Sequence, residues 1–162
     1  MTYTSQEEAE APTVWVEMVA EGGPEDFDCS LVPSYGTQEA AGADLKSSED
    51  MVVPARSRAL VPTGIRIAIR DGFAGFVHPR SGLALKHGIT VLNTPGTIDS
   101  DYRGELKVIL INHSDEDFVI SKYDRIAQLI IQRVEYASFT QAWTPLAGTT
   151  RGEGGFGSTG VR

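Results

Sequence analysis

Ile65-Arg66-Ile67-Ala68-Ile69-Arg70 is the most regular stretch of this 162-residue chain, and its pattern indicates the class of fold. Apolar and charged side chains alternate along it. An extended chain therefore places the three isoleucines on one face and the two arginines on the other. This pattern predicts a half-buried β-strand, with one face against a core and the other in water.

Segments of the same kind lie on both sides of this strand, separated by glycine, proline, aspartate and asparagine. The further strand candidates are residues 14–18, 41–45, 59–62, 73–78, 90–92, 106–112 and 118–121. Several short strands joined by turn residues are typical of an all-β sandwich, barrel or jelly roll. The sequence therefore predicts one all-β domain over residues 13–143.

Two segments need a further argument. Residues 126–136 combine helical spacing with β-branched side chains, and periodicity alone does not decide between helix and strand. We predict a strand because the neighbouring segments are strands. Residues 81–86 predict the one short helix of the domain, with Ser81 as a candidate N-cap and His87-Gly88 as its end.

Composition and charge limit the function. A formal net charge of -8, from 22 acidic and 14 basic residues, argues against a surface that neutralises a nucleic-acid polymer. No apolar run is long enough for a membrane span, and the first residues lack the pattern of a signal peptide, so we expect a cytoplasmic protein. Cys29 is the single cysteine, which excludes an intrachain disulfide and a cysteine-based zinc site.

Both ends of the chain differ in composition from the domain. Residues 1–12 are polar and aperiodic, which predicts a disordered tail. Residues 144–162 contain six of the 17 glycines, and such a segment cannot form its own core. Composition alone favours a disordered C-terminus, but a featureless linker has no need of the guanidinium of Arg151 or the ring of Phe156.

Pro79-Arg80-Ser81-Gly82 is the first candidate for chemistry. It joins a predicted strand to the predicted helix, where backbone N–H groups, a guanidinium and a hydroxyl can together bind phosphate. An ordinary turn explains the same residues equally well. A phosphate loop of the Walker type is excluded, because no Gly-Lys-Ser or Gly-Lys-Thr follows a glycine-rich run.

Residues 93–104 form the second candidate. Pro95-Gly96 predicts a hairpin with exposed backbone, and the Asn93 amide can both donate and accept hydrogen bonds, as recognition of a nucleobase edge requires. Asp99 is a candidate carboxylate base, whereas Asp101 has the features of a solvated or interface charge. Acids near glycine and proline commonly cap turns, so a purely structural role stays open for both.

Two further polar residues are weak candidates by themselves. Asp44 lies in a small-residue strand and could hold water around a cation, and Gln128 could donate to a phosphate oxygen. A satisfied polar residue at a strand end explains each of them more simply. The histidines His78, His87 and His113 have no ligand spacing, which indicates structural roles.

Five segments, taken in order, resemble the five motifs of the trimeric dUTPase family. They are residues 41–47, 79–83, 93–104, 124–129 and 151–160. Five ordered segments are far more specific than any one of them. The resemblance implies a jelly-roll-like β-clip subunit, a homotrimer with active sites at subunit interfaces, and a C-terminal arm, residues 144–162, that closes over a neighbouring site.

The resemblance also implies a reaction, the hydrolysis of dUTP to dUMP and pyrophosphate. Asp99 would be the general base that activates water for attack on the α-phosphorus. Tyr102 would stack on the deoxyribose and leave no room for a 2′-hydroxyl. Asn93, with the backbone of Gly96, Thr97 and Ile98, would recognise uracil.

The triphosphate would be bound by residues from several motifs. The implied phosphate ligands are Arg80, Ser81 and Gly82, Gln128 at the α-phosphate, and Arg151, Gly157, Ser158 and Thr159 at the γ-phosphate. Phe156 would lie over the uracil, and Lys107 would add positive charge near the substrate. Mg²⁺ is the implied cofactor, carried by the triphosphate, with Asp44 acting through its waters.

Two alternatives stay open. The first is a dCTP deaminase, or a bifunctional deaminase and dUTPase, because these enzymes look like relatives of the dUTPases on the same scaffold. Tyr102 and Phe156 favour the simple dUTPase. A non-catalytic jelly-roll binding module would need neither Asp99 nor the arm.

Overall fold

The computed structural model describes residues 11–19 and 27–155, and within them the chain forms twelve β-strands and one α-helix. The strands are β1 (Trp15–Met18), β2 (Ser34–Tyr35), β3 (Ala43–Lys46), β4 (Met51–Val53), β5 (Arg58–Pro62), β6 (Ile65–Ala68), β7 (Phe73–His78), β8 (Ile89–Val91), β9 (Gly96–Ile98), β10 (Lys107–Asn112), β11 (Phe118–Ile120) and β12 (Arg125–Arg133). The helix is α1 (Ser81–His87), and Cys29–Leu31 form a single 3-10 turn. No helix in the described part is long and apolar enough to cross a membrane.

The strand predictions are confirmed to within a few residues at their ends. The ambiguous segment from residue 126 is strand β12, although it ends at Arg133 rather than at residue 136. Three strands, β2, β4 and β9, were not predicted, because two or three residues are too few to show an alternation. The predicted tail over residues 1–12 lies, for residues 1–10, outside the described residues.

Helix α1 ends where the sequence predicts and begins differently. Gly88 adopts a left-handed conformation, with φ of 66°, and its N–H donates to the carbonyl oxygens of Leu83 and Ala84. The expected N-cap is wrong: Arg80 has the extended backbone of a cap residue, and no side chain caps the helix. Ser81 instead lies in the first turn of the helix and is exposed.

The strands form four antiparallel sheets. The largest has the order β2-β3-β12-β7-β9, the second has the order β5-β10-β8, and β1-β6 and β11-β4 form two pairs. The expected hairpin at Pro95-Gly96 is therefore wrong, since β8 pairs with β10 whereas β9 pairs with β7. Between β8 and β9 the chain passes from one sheet to another.

All four sheets contribute to one apolar core. Ile65, Ile67 and Ile69 are no more than 5% exposed, while Arg66 is half-buried and Arg70 is exposed, which confirms the predicted alternation. Fully buried aliphatic side chains of the other sheets meet them, among them Leu45, Val53, Val61, Ile89, Leu110, Ile120 and Ile126. This core supports the loops that follow β7 and β9, and those loops carry the candidate site.

Candidate active site

A cleft of about 500 Å³ lies beside the loop that follows β9. We call it the Asp99 cleft. It is lined by Asn93, Thr97, Ile98, Asp99, Tyr102, Glu105 and Lys107, with Leu60, Leu106 and Ile109 as its apolar part. Six of the residues that the sequence singled out, Asn93, Thr97, Ile98, Asp99, Tyr102 and Lys107, thus lie together in one cavity.

Strand β9 sets the position of Asp99. It pairs with β7 through Gly96 opposite Val77, and Asp99 follows it directly. Gly96 is buried, and a Cβ at this position would lie 3.2 Å from Nδ2 of Asn93, so glycine allows the Asn93 amide to pack against β9. The N–H of Tyr102 donates to the Asp99 carbonyl oxygen at 3.2 Å and closes a turn. Asp99 itself is exposed, so its carboxylate can reach a water molecule in the cleft.

The ring of Tyr102 is held by a hydrogen bond from its hydroxyl and by close packing against Gly104. Its hydroxyl donates to the carbonyl oxygen of Glu105 at 3.1 Å, and a Cβ on Gly104 would lie 2.6 Å from the ring carbon Cζ. Arg103 donates from Nη1 to the carbonyl oxygens of Ser100 and Tyr102, at 2.7 and 2.8 Å. With 43% of its surface exposed, the ring is a wall of the cleft and not part of the core.

Lys107 is already paired within the cleft. Its Nζ lies 3.0 Å from Oε2 of Glu105, and Oε1 of the same carboxylate accepts from the Gly64 N–H at 3.1 Å. The ammonium group therefore adds less positive charge to the cleft than the sequence suggested.

A second cavity, of about 300 Å³, lies at the start of α1. We call it the Arg80 pocket. Its lining is Arg80, Ser81, Gly82, Leu83, Lys86, His87 and Gln128. The second and fourth motif segments therefore meet here, because Gln128 on β12 lies opposite His78 at the end of β7.

Asp44 lies beside this pocket and is held by ion pairs. Oδ1 lies 3.2 Å from Arg80 Nε, Oδ2 lies 3.3 Å from Arg125 Nη1, and Gln128 Nε2 donates to Oδ1 at 3.5 Å. Only 7% of the Asp44 side chain is exposed. Two guanidinium groups against one carboxylate leave one net positive charge, so the pocket suits an anion in a chain that is negative as a whole.

The remaining sequence candidates lie elsewhere or outside the described residues. Arg151 lines neither cavity, and its Nε donates to the Gly154 carbonyl oxygen at 2.8 Å. Phe156, Gly157, Ser158 and Thr159 lie outside the described residues. Among the described residues none lines both cavities, so one chain presents two separate groups of candidate residues.

Arg125, Lys86 and Glu105 were not predicted as site residues, and His87 was predicted only as a structural residue at the end of the helix. Arg125 had a signal, since it lies in a motif segment directly before a strand candidate, but its pairing with Asp44 spans 81 residues and follows only from the register of β12 against β3. Lys86 and His87 lie in the last turn of α1, three and four residues after Leu83, and so share the helix face that lines the Arg80 pocket.

Comparisons with known proteins agree with the resemblance. The family model described as dUTPase matches residues 30–160. A protein of Helicobacter hepaticus is 58% identical over 132 residues, covering 82% of this chain and 83% of its own, and one of Nautilia profundicola is 56% identical over 131 residues, covering 81% and 92%. Both are named deoxyuridine 5′-triphosphate nucleotidohydrolase.

Solved structures show the same architecture. The dUTPase of Staphylococcus bacteriophage 80alpha with dUPNHPP has a TM-score of 0.79 at 25% identity, covering 92% of this chain and 99% of its own. The dUTPase of Streptococcus mutans has a TM-score of 0.69 at 27% identity, covering 76% and 98%. The predicted all-β, jelly-roll-like β-clip fold is confirmed. From the family model and from these relatives it follows that the chain belongs to the dUTPase family.

Proposed function

We propose that this chain hydrolyses dUTP to dUMP and pyrophosphate, and that Asp99 is the general base for the attacking water. The observation that carries the proposal is the exposed Asp99 carboxylate in a cleft whose walls are Asn93 and Tyr102. The names of relatives more than half identical to the chain support the reaction. Such an activity keeps uracil out of DNA and supplies dUMP for dTMP synthesis.

The Asp99 cleft would bind the nucleoside. The Asn93 amide, with the backbone of Gly96, Thr97 and Ile98, would hydrogen-bond the uracil edge, and a base with the wrong donors would leave buried polar groups unpaired. The Tyr102 ring would pack on the deoxyribose and exclude a 2′-hydroxyl.

The Arg80 pocket would bind the phosphates. Its net positive charge, the hydroxyl of Ser81, the open backbone at Gly82 and the amide of Gln128 offer donors to phosphate oxygens. Donors fixed before the reaction stabilise the charge that develops on the phosphates. Lys107 would contribute from the other cavity, limited by its pairing with Glu105.

Mg²⁺ is the cofactor that we propose. In the described part of the chain no three His, Cys, Asp or Glu side chains come together, and Asp44 is already paired with two arginines. Such a donor set fits Mg²⁺ that is bound mainly by phosphate oxygens and retains waters, one of which Asp44 would hold. The ion would neutralise negative charge on the triphosphate.

The active unit would be a homotrimer with sites at subunit interfaces. The two cavities within one chain share no lining residue among those described, and a neighbouring chain could bring the two kinds of cavity together. Beyond β12, Phe139, Trp143 and Leu146 are each at least 85% exposed, and large exposed apolar side chains are typical of surfaces that a partner covers.

We propose in addition that residues 13–143 form the β-domain and residues 144–162 the arm. The arm would bring Arg151, Gly157, Ser158 and Thr159 to the γ-phosphate of a neighbouring site and Phe156 to its uracil. The cytoplasm, where deoxynucleotides are made and used, is the compartment we propose.

The decisive experiment measures pyrophosphate release from dUTP, dCTP, dTTP and UTP, with and without Mg²⁺. We expect turnover of dUTP alone. Asp99→Asn should lower kcat by about 10²–10⁴-fold, because general-base catalysis contributes that much, while a nonhydrolysable dUTP analogue still binds. Asp101→Asn is the matched control, since Asp101 is exposed, lies two residues away and is not part of the cleft lining.

Three results would contradict the proposal. Near-normal turnover by Asp99→Asn would remove Asp99 from the mechanism. Ammonia release from dCTP would favour a deaminase on the same scaffold. Absence of any nucleotide turnover would favour a binding module.

A further inference from the structure

Glu105 makes three contacts at the wall of the Asp99 cleft. Its Oε1 accepts from the Gly64 N–H at 3.1 Å, its Oε2 lies 3.0 Å from Lys107 Nζ, and its backbone carbonyl accepts from the Tyr102 hydroxyl at 3.1 Å. The Glu105 side chain is 16% exposed, so most of the carboxylate is shielded from water. One residue therefore joins Tyr102 and Lys107, which line the cleft, to Gly64, which does not.

The Gly64 end of this link is a rigid anchor. Gly64 joins β5 to β6 with φ of +71°, and a Cβ there would lie 2.9 Å from the Ser48 side chain. The next residue, Ile65, is fully buried, and its carbonyl oxygen accepts from the Leu106 N–H at 2.8 Å. The Glu105 carboxylate thus ties the loop that carries Tyr102 to the core.

The ring of Tyr102 depends on this tie. Because the ring is 43% exposed, packing alone does not fix it, and the carbonyl oxygen of Glu105 is the acceptor that holds its hydroxyl. The ion pair between Glu105 and Lys107 contributes little to the stability of the fold, because the lysine side chain is 42% exposed. Stability therefore does not explain why the two residues are paired here. Glu105 and Lys107 also line an adjoining cavity of about 600 Å³, so the pair forms the wall between two cavities.

We propose that Glu105 is a positioning residue for the selection of deoxyribose. Its carboxylate, fixed by Gly64 and Lys107, holds its own carbonyl oxygen in place, and that oxygen keeps the Tyr102 ring where a 2′-hydroxyl would clash. The inference rests on the proposed function, because it assigns a role within the same nucleoside site. In this role Glu105 acts through Tyr102 and not through a contact of its own with the nucleotide.

The test compares kcat/KM for dUTP and for UTP in the full-length protein and in its variants. Glu105→Ala removes both side-chain links, and the ratio of dUTP to UTP should fall about tenfold or more, since a displacement of about 1 Å costs up to about 10²-fold. Glu105→Gln can still accept from Gly64, so it should keep the ratio within about threefold while KM for dUTP changes through the unpaired Lys107. Asp115→Ala is the control, because it breaks the pair with Arg56 and lines neither cavity.

A folded Glu105→Ala variant with an unchanged ratio would overturn the proposal, since a merely structural role lowers the melting temperature and leaves selectivity intact. If that variant does not fold, Tyr102→Phe decides, because it removes only the hydroxyl bond to Glu105. The ratio of kcat/KM for dUTP to that for UTP should also fall in Tyr102→Phe, and an unchanged ratio would overturn the proposal. A wild-type protein without dUTP turnover contradicts the proposed function as well, whereas an active wild type with unaffected variants contradicts the role of Glu105 alone.

Discussion

Replacing Gly104 by alanine should displace the Tyr102 ring and impair the Asp99 cleft. Gly104 does not have a positive φ, so the new side chain causes no backbone strain, and its effect comes only from contact. The added Cβ would lie 2.6 Å from Tyr102 Cζ and 3.0 Å from Cε2, and still closer to the hydroxyl oxygen.

The size of the effect follows from these distances. Carbon atoms in contact lie about 3.5–4.0 Å apart, so the ring must move by about 1 Å. A displacement of that size in a positioning group costs up to about 10²-fold in rate. We therefore expect kcat/KM for dUTP to fall by about 10–100-fold, with UTP less affected than dUTP.

The assay is steady-state pyrophosphate release with dUTP and UTP, together with a thermal melt to confirm that the variant is folded. Gly36→Ala is the matched control. It makes the same chemical change, and its Cβ would meet no atom within 4 Å. A folded Gly104→Ala enzyme with kcat/KM and selectivity equal to those of the control would refute the role given to the ring.

Three other perturbations test separate parts of the structure. Asp44→Asn should lower the free energy of unfolding by about 1–3 kcal/mol, which is less than for a fully buried pair because both arginines are partly exposed. Urea unfolding measures this loss, and an unchanged free energy of unfolding would contradict the prediction. Deleting the chain after Leu146 should leave a folded trimer of three shortened chains with badly impaired turnover, and light scattering that detects monomers would contradict this. The hydrogen bond from the Tyr123 hydroxyl lowers the pKa of Asp28 below its ordinary 3.8, so this contact stabilises the fold above that pH and the contribution is lost as the pH falls through the folded-state pKa. The melting temperature of Tyr123→Phe should therefore be lower than that of the wild type near neutral pH, and the two melting temperatures should converge in acid. A difference that does not change with pH would contradict the link between this hydrogen bond and the ionisation of Asp28.

The local features of this fold could be predicted from the sequence. Alternation of side chains located β6 and most other strands, because the two faces of a strand meet different surroundings. Gly88 marked the end of α1, because the left-handed conformation favours glycine. The order of five motif segments indicated the family, and no single segment would have done so.

Features that depend on long-range packing could not be predicted. Pro95-Gly96, where β9 begins, suggested a hairpin, but β9 pairs with β7. The partner of a strand depends on how the sheets pack over the core, which a local turn motif does not show. The pairing of Asp44 with Arg80 and Arg125, and the link from Glu105 to Gly64, have no signal in local periodicity.

The sequence by itself determined that the chain is an acidic all-β protein with a candidate base at Asp99, since composition and alternation depend only on near neighbours. Only the tertiary structure decided which residues accompany that base. Strand pairing places Asn93, Tyr102 and Lys107 in one cavity with Asp99 and leaves Arg80 and Gln128 in another. The physical reason is that a side chain's chemistry is fixed by its identity, whereas its partners are fixed by packing across many residues of chain.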